Sequence, residues 1–202
     1  EYRDSLGKDN VLLVDAGDCL QGDNAAYYFN YVDTLSPHLF PRLAAYMKYD
    51  AVCIGNHDVE TGHPVYDRVV NELKTNGIPF LAGNAVRPDG KTYFDGVKIL
   101  KRHGVKIAVL GYTNANIRAW LDESLWKGME FKSLIPLVQE DVDRVRAKEK
   151  PQVVIVAVHS GTGLGDGTIY ESQGKDLLST LRGVDFLVCS HDHSALAIQQ
   201  DS

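Results

Sequence analysis

Asn56, His57, Asp58 and Glu60 fall within one short segment, AVCIGNHDVETG, running from Ala51 to Gly62. Carboxamide, imidazole and carboxylate groups at this spacing can hold a divalent metal ion or move a proton. They follow an apolar run rich in β-branched residues that stops at Gly55, the pattern of a strand delivering polar residues to its C-terminal end. The arrangement recurs three times. Asp18 follows the apolar run Val11–Asp15, His159 follows Val153–Val158, and His191 and His193 follow Val184–Cys189. Four of the seven histidines therefore lie at strand ends, which makes chance placement hard to sustain.

Carboxyl ends of parallel strands share one edge of an α/β sheet, so these distant residues are expected to meet there. Asp18, Asn56, His159, His191 and His193 form a mixed carboxylate, carboxamide and imidazole set. Such a set suits borderline divalent ions such as manganese, iron, zinc, cobalt or nickel, and the absence of a thiolate cluster argues against a structural zinc site. Asp18, Asp23, Asp58 and Asp192 crowded at one edge would repel one another unless cations were present. His191 and His193 alternate along what would be an extended backbone, so both could reach neighbouring ions. Two ions about 3.5 to 4 Å apart stabilise the attacking and leaving oxygens of phosphoryl hydrolysis.

The elements that must position these groups alternate between strand and helix. Helical spacing of Leu39, Phe40, Leu43, Ala44 and Met47 predicts an amphipathic helix over Pro37–Lys48, and a second runs from Pro64 to Asn76-Gly77. Pro79–Ala82 reads as a short strand. Val97–Arg102 and Val105–Leu110 read as a hairpin turning at His103-Gly104. Asn114–Gly128 reads as loop with helical turns, Ser133–Lys148 and Gly174–Arg182 as helices, and Ala195–Gln199 as one further strand. Val153–Val158 and Val184–Cys189 carry the near-continuous apolar pattern of strands covered on both faces. Tyr27, Tyr28 and Tyr31 are expected to pack a helix against the sheet, and His38, His63 and His103 to be satisfied surface or turn residues. The glycine-rich loop Gly161–Gly167 misses the dinucleotide-binding spacing, because Asp166 stands where a third glycine is needed.

The 202 residues suit one domain with a sizeable core. Hydrophobic residues at 44% and charged residues at 24% exclude disordered and fibrous classes. A net charge of -6 argues against binding nucleic acid polymers. No apolar run is long enough to span a membrane, and the start of the chain carries no signal-peptide pattern. Cys19, Cys53 and Cys189 cannot all pair, and each lies in or beside an apolar run, so buried free thiols are expected. Redox compartment is not decided by them.

GDCLQG at Gly17–Gly22, GNHD at Gly55–Asp58, VHSG at Val158–Gly161 and SHDH at Ser190–His193 together resemble the calcineurin-like metallophosphoesterases. The run GNHDVETGH and the QG after the first aspartate look most like the branch of 5'-nucleotidases and 2',3'-cyclic-nucleotide phosphodiesterases. The resemblance implies an α/β sandwich of mixed sheets flanked by helices. It also implies hydrolysis of a small nucleotide or other phosphoester by a metal-bound hydroxide, with two divalent ions. Asp18 would bridge the ions; Asn56, His159 and His191 would complete the second site, and His193 would ligate the first. His57 would protonate the leaving oxygen or stabilise the transition state, oriented by Glu60, which could alternatively be an acid complementing a helix N-terminus.

Two departures from the family pattern stand out. Ser190 replaces the usual glycine before the paired histidines, and the opening D-x-H motif has no match before Val11. The family's first strand and two ligands to the first ion are therefore expected to be missing, leaving that ion weakly held, and the C-terminal nucleotide-binding domain is expected to be absent. A non-catalytic metal- or partner-binding fragment, or a phosphoesterase for UDP-sugars, remains the alternative. By resemblance the setting is periplasmic or extracellular.

Overall fold

The computed structural model describes residues 2–163, 171–194 and 197. The expected strand Ala195–Gln199 and most of the Gly161–Gly167 loop lie outside the described residues. In chain order the helices are α1 (Tyr2–Leu6), α2 (Asn24–Tyr27), α3 (Leu39–Met47), α4 (Asn56–Glu60), α5 (His63–Thr75), α6 (Ile117–Trp120), α7 (Leu134–Glu149) and α8 (Gly174–Thr180). The strands are β1 (Val14–Asp15), β2 (Ala51–Cys53), β3 (Phe80–Leu81), β4 (Ala85–Val86), β5 (Val97–Arg102), β6 (Val105–Tyr112), β7 (Glu130–Phe131), β8 (Val153–Val158) and β9 (Phe186–Cys189).

Two sheets stack face to face. One is parallel with order β1-β2-β3; the other has order β5-β6-β8-β9, with β5 antiparallel to β6 and the rest parallel. Side-chain alternation builds the layers. Ala51, Cys53, Leu81, Ile107, Val109 and Ala157 meet between the sheets. Val52, Ile54 and Phe80 point outward into a core shared with Val65, Tyr66, Val69 and Leu73 of α5. On the far side Ala108, Leu110, Val154 and Val156 meet Leu134, Val138 and Val142 of α7. The result is the expected α/β sandwich, helix against sheet against sheet against helix. The sheets approach closely at Gly111, where a Cβ would stand 2.3 Å from the Cβ of Leu81, so only glycine fits there.

Local signals explain the boundaries. Pro64 opens α5, and Gly77 at φ 71° closes it by donating to the Lys74 carbonyl. His103 and Gly104, at φ 47° and 87°, make the two-residue turn between β5 and β6. Among the described residues, no helix is long and apolar enough to cross a membrane. The three cysteines are free, and Cys53 is buried as expected; Cys19 and Cys189 are only half-buried.

Three expectations are corrected. Tyr27, Tyr28 and Tyr31 do not pack on the sheet: they are 62%, 47% and 45% exposed. The residue their segment turns inward is Asn30, whose amide donates to the Leu20 carbonyl at 2.7 Å. β9 is not covered on both faces, since Phe186 and Val188 are exposed while Leu187 and Cys189 face the α7 side. It is the last strand of its sheet among the described residues. His38 is buried rather than superficial. Its Nδ1 accepts from the Phe40 N–H to cap α3, and its Nε2–H donates to Asn30.

That arrangement needs a neutral His38 ring, and burial, with Arg68 nearby, lowers its pKa from 6.5 to about 4. A histidine depressed on folding contributes stability that is present above pH 6.5 and lost as pH falls through 4. Urea midpoints measured across this window should fall with pH, and should fall less steeply for His38→Asn than for the unaltered chain.

Candidate metal centre

The loops after β1 and β2 are joined by one carboxylate. Asp58, fully buried in α4, accepts backbone N–H groups from Gly55 at 2.8 Å, Asp18 at 2.9 Å, and Cys19 and Leu20 at 2.8 Å each. Burial raises its pKa to about 6, opposed by the Gly55 N–H and reinforced by the charge of Asp18. The loops are so close that a Cβ on Gly55 would sit 2.1 Å from Asp18 Oδ1, and one on Gly17 would sit 2.7 Å from the Gly55 nitrogen. Glycine at the head of GNHD is thus a steric requirement. Asp18 itself is held in the left-handed region at φ 66°, and its Oδ1 accepts the His57 N–H at 2.9 Å.

β8 then brings a histidine across from the second sheet. His159 is 1% exposed, and its Nδ1 contacts the Ala16 carbonyl at 2.8 Å, which leaves Nε2 facing the site. That nitrogen lies 3.0 Å from Asp18 Oδ2 and 3.1 Å from Asn56 Oδ1. His191, from the loop after β9, completes the group: one ligand atom each from Asp18, His159 and His191 lie within 4.8 Å of one another. Burial opposes ionisation of Asp18, yet the hydrogen bond and charge of His159 and the His57 N–H hold its carboxyl below the usual value. For His159, burial works against the charge while Asp18 and the Ala16 carbonyl raise its pKa. An inward-facing imidazole nitrogen ringed by a carboxylate and a carboxamide oxygen is a donor set that fits a divalent cation.

Four of the five residues expected as ligands, Asp18, Asn56, His159 and His191, are therefore brought together. His193 is exposed and stands outside the group. The backbone from His191 to His193 is not extended as expected. Both histidines have positive φ, 88° and 50°, and the Asp192 carboxylate between them accepts the Thr162 N–H at 2.8 Å, so the pair does not alternate along a strand. The expected crowding of acids is reduced to one pair, Asp18 and Asp58, whose charges act on each other. Asp58 is saturated by N–H donors, Asp23 caps α2, and Asp192 is tied to Thr162, which leaves Asp18 as the one of these four aspartates facing the site.

His57 Nδ1 and Glu60 Oε2 are 2.7 Å apart. Glu60 closes α4 rather than opening it, so its partner is an imidazole and not a helix N-terminus. Cys19 directs its thiol to the Asp15 carboxylate at 3.0 Å, away from any ligand role. Two neighbours escaped the sequence reading. Ser190 donates to the Ala16 carbonyl at 2.7 Å and lies 3.0 Å from His159 Nδ1, a role its position in SHDH could have suggested. Glu171 places Oε1 3.2 Å from His191 Nε2, and no spacing pattern marks it.

A stacked α/β sandwich whose carboxyl-edge loops gather carboxylate, carboxamide and imidazole groups is an arrangement suited to holding a divalent metal ion. The model of the calcineurin-like phosphoesterases matches residues 2–195, and the chain belongs to that family. It is 24% identical over 200 residues to the trifunctional nucleotide phosphoesterase protein YfkN of Bacillus subtilis, covering 91% of this chain and 13% of that protein. It is 28% identical over 193 residues to a 5'-nucleotidase of Diplobatis ommata, covering 93% and 30% respectively. The chain thus spans a third or less of these relatives. The crystal structure of YfkN superposes with a TM-score of 0.81 at 22% identity, covering 92% of this chain and 59% of that one.

Removing the Asp58 carboxylate strands four backbone donors in the interior. Asp58→Ala should cost about 3 kcal/mol or more in urea unfolding. Loss of less than about 1 kcal/mol would show that the loops are held by something else.

Proposed function

We propose that this chain carries the metal-binding and proton-transfer centre of a nucleotide phosphoester hydrolase, a 5'-nucleotidase or a 2',3'-cyclic-nucleotide 2'-phosphodiesterase in an exported setting. The observation that supports it is the convergence of Asp18 Oδ2, Asn56 Oδ1 and His159 Nε2 beside His191. Nucleotide substrates are supported by the names of the relatives at 24% and 28% identity.

Asp18, Asn56, His159 and His191 would hold one ion, manganese, iron, zinc, cobalt or nickel, and Asp18 with His193 a second. Divalent ions, when bound, supply charge to the phosphoryl oxygens and lower the pKa of the attacking water. The water, having given up a proton to solvent, bonds through its oxygen to phosphorus as the ester P–O bond breaks. His57 would give the departing oxygen its proton through Nε2, because Nδ1 is engaged by Glu60. The Glu60 carboxylate holds the ring orientation.

A second reading, a chain that binds metal or a partner without turnover, is favoured by one observation: His193 stands outside the group, which supplies donors for one ion more readily than two.

His57→Ala should reduce hydrolysis of a nucleotide or of a phosphodiester model substrate about 100-fold in manganese while sparing metal content measured by elemental analysis. Simultaneous loss of metal would place His57 among the ligands. Asp18→Ala should strip the metal first. Calorimetric titration of the unaltered chain with manganese should resolve one tight ion and a weak or absent second. Two equally tight ions would overturn this division of ligands, and metal binding with no turnover of any phosphoester would favour the second reading.

A further inference from the structure

Ile117 is fully buried in the core beneath the first sheet and anchors the short α6, which carries Trp120 to the rim of the metal centre. The indole lies flat on the imidazole of His191, with ring centroids 5.4 Å apart and planes 13° from parallel. The His159 ring meets the His191 ring edge-on, at 5.2 Å and 74°. The imidazole is therefore bounded by two rings. Rotation about its Cβ–Cγ bond would break the parallel stacking with the indole.

His191 needs such restraint. Its backbone sits at φ 88°, in the left-handed region that a residue with a Cβ adopts at a cost, and it belongs to a loop rather than a strand. Glu171 Oε1 meets its Nε2 at 3.2 Å but is half exposed and offers no fixed plane. The segment carrying Glu171 is tied to the loop before α6, because the Asn114 amide donates to the Glu171 carbonyl at 2.9 Å.

We propose that Trp120 is a positioning residue that sets the plane of the His191 imidazole, and through it the affinity of the centre for a divalent ion. This rests on the reading of His191 as a ligand. Partners that orient a ligating histidine without touching the ion typically contribute 10- to 100-fold in metal affinity. Trp120 is 37% exposed, so a replacement leaves a surface gap rather than a buried cavity.

The test compares Trp120→Phe, which keeps a flat aromatic face, with Trp120→Leu, which stays apolar but lacks the face. Manganese titration by calorimetry should show Trp120→Phe close to the unaltered chain and Trp120→Leu about 10-fold weaker. Thermal midpoints of the metal-free forms should agree among all three. In the unaltered metal-free chain, proton spectra should show His191 ring resonances shifted upfield by the indole ring current. Equal affinity for Trp120→Leu and the unaltered chain, or no ring-current shift, would overturn the positioning role and leave the ligand assignment standing. No manganese binding by the unaltered chain would overturn both.

Discussion

A single buried carboxylate makes the rest of this centre possible. Asp58 gathers N–H groups from both sides of a gap between the loops after β1 and β2, residues 38 to 40 positions apart for Leu20, Cys19 and Asp18. Four charge-assisted hydrogen bonds are strong enough to hold Asp18 in a backbone conformation it would otherwise avoid. With Asp18 so fixed, its Oδ1 and Oδ2 are turned to different partners, the His57 N–H and His159 Nε2. The His57–Glu60 pair and the cluster of Asp18, Asn56 and His159 thereby share one anchor.

The second constraint is the closing of the two sheets. Asp18 and Asn56 belong to one sheet and His159 and His191 to the other, so the centre straddles the seam rather than one sheet edge. Small residues between the sheets, Ala51, Cys53, Ala157 and above all Gly111, let the carboxyl ends come within ligand distance. The His159–Ala16 contact, spanning 143 positions, pins the seam at the point where the donors meet.

Backbone strain follows the chemistry. Six described residues other than glycine have positive φ, and three of them are Asp18, His191 and His193. Each lies just past a strand end, where the chain must turn sharply to present a side chain. Hydrogen bonds to Asp58 and Asp192 offset that cost locally.

Much of this was legible along the chain. Apolar runs marked the strands, proline and glycine bounded α5, and the four motifs pointed to the family and to most of the side chains that meet. Those signals depend on neighbours in sequence, and short-range sterics and alternation are enough to produce them. The exposed tyrosines, the half-covered β9, the buried His38 cap and the separation of His193 from the group were not legible. Each turns on which face another layer happens to cover, or on a φ value that side-chain type does not reveal. Residue types and order gave the strand and helix pattern and the motifs whose family resemblance implied a sandwich with candidate metal ligands at its strand ends. Only the tertiary structure decided which donors share a point in space, because that depends on contacts between sheets across 103 and 143 positions that no local pattern encodes.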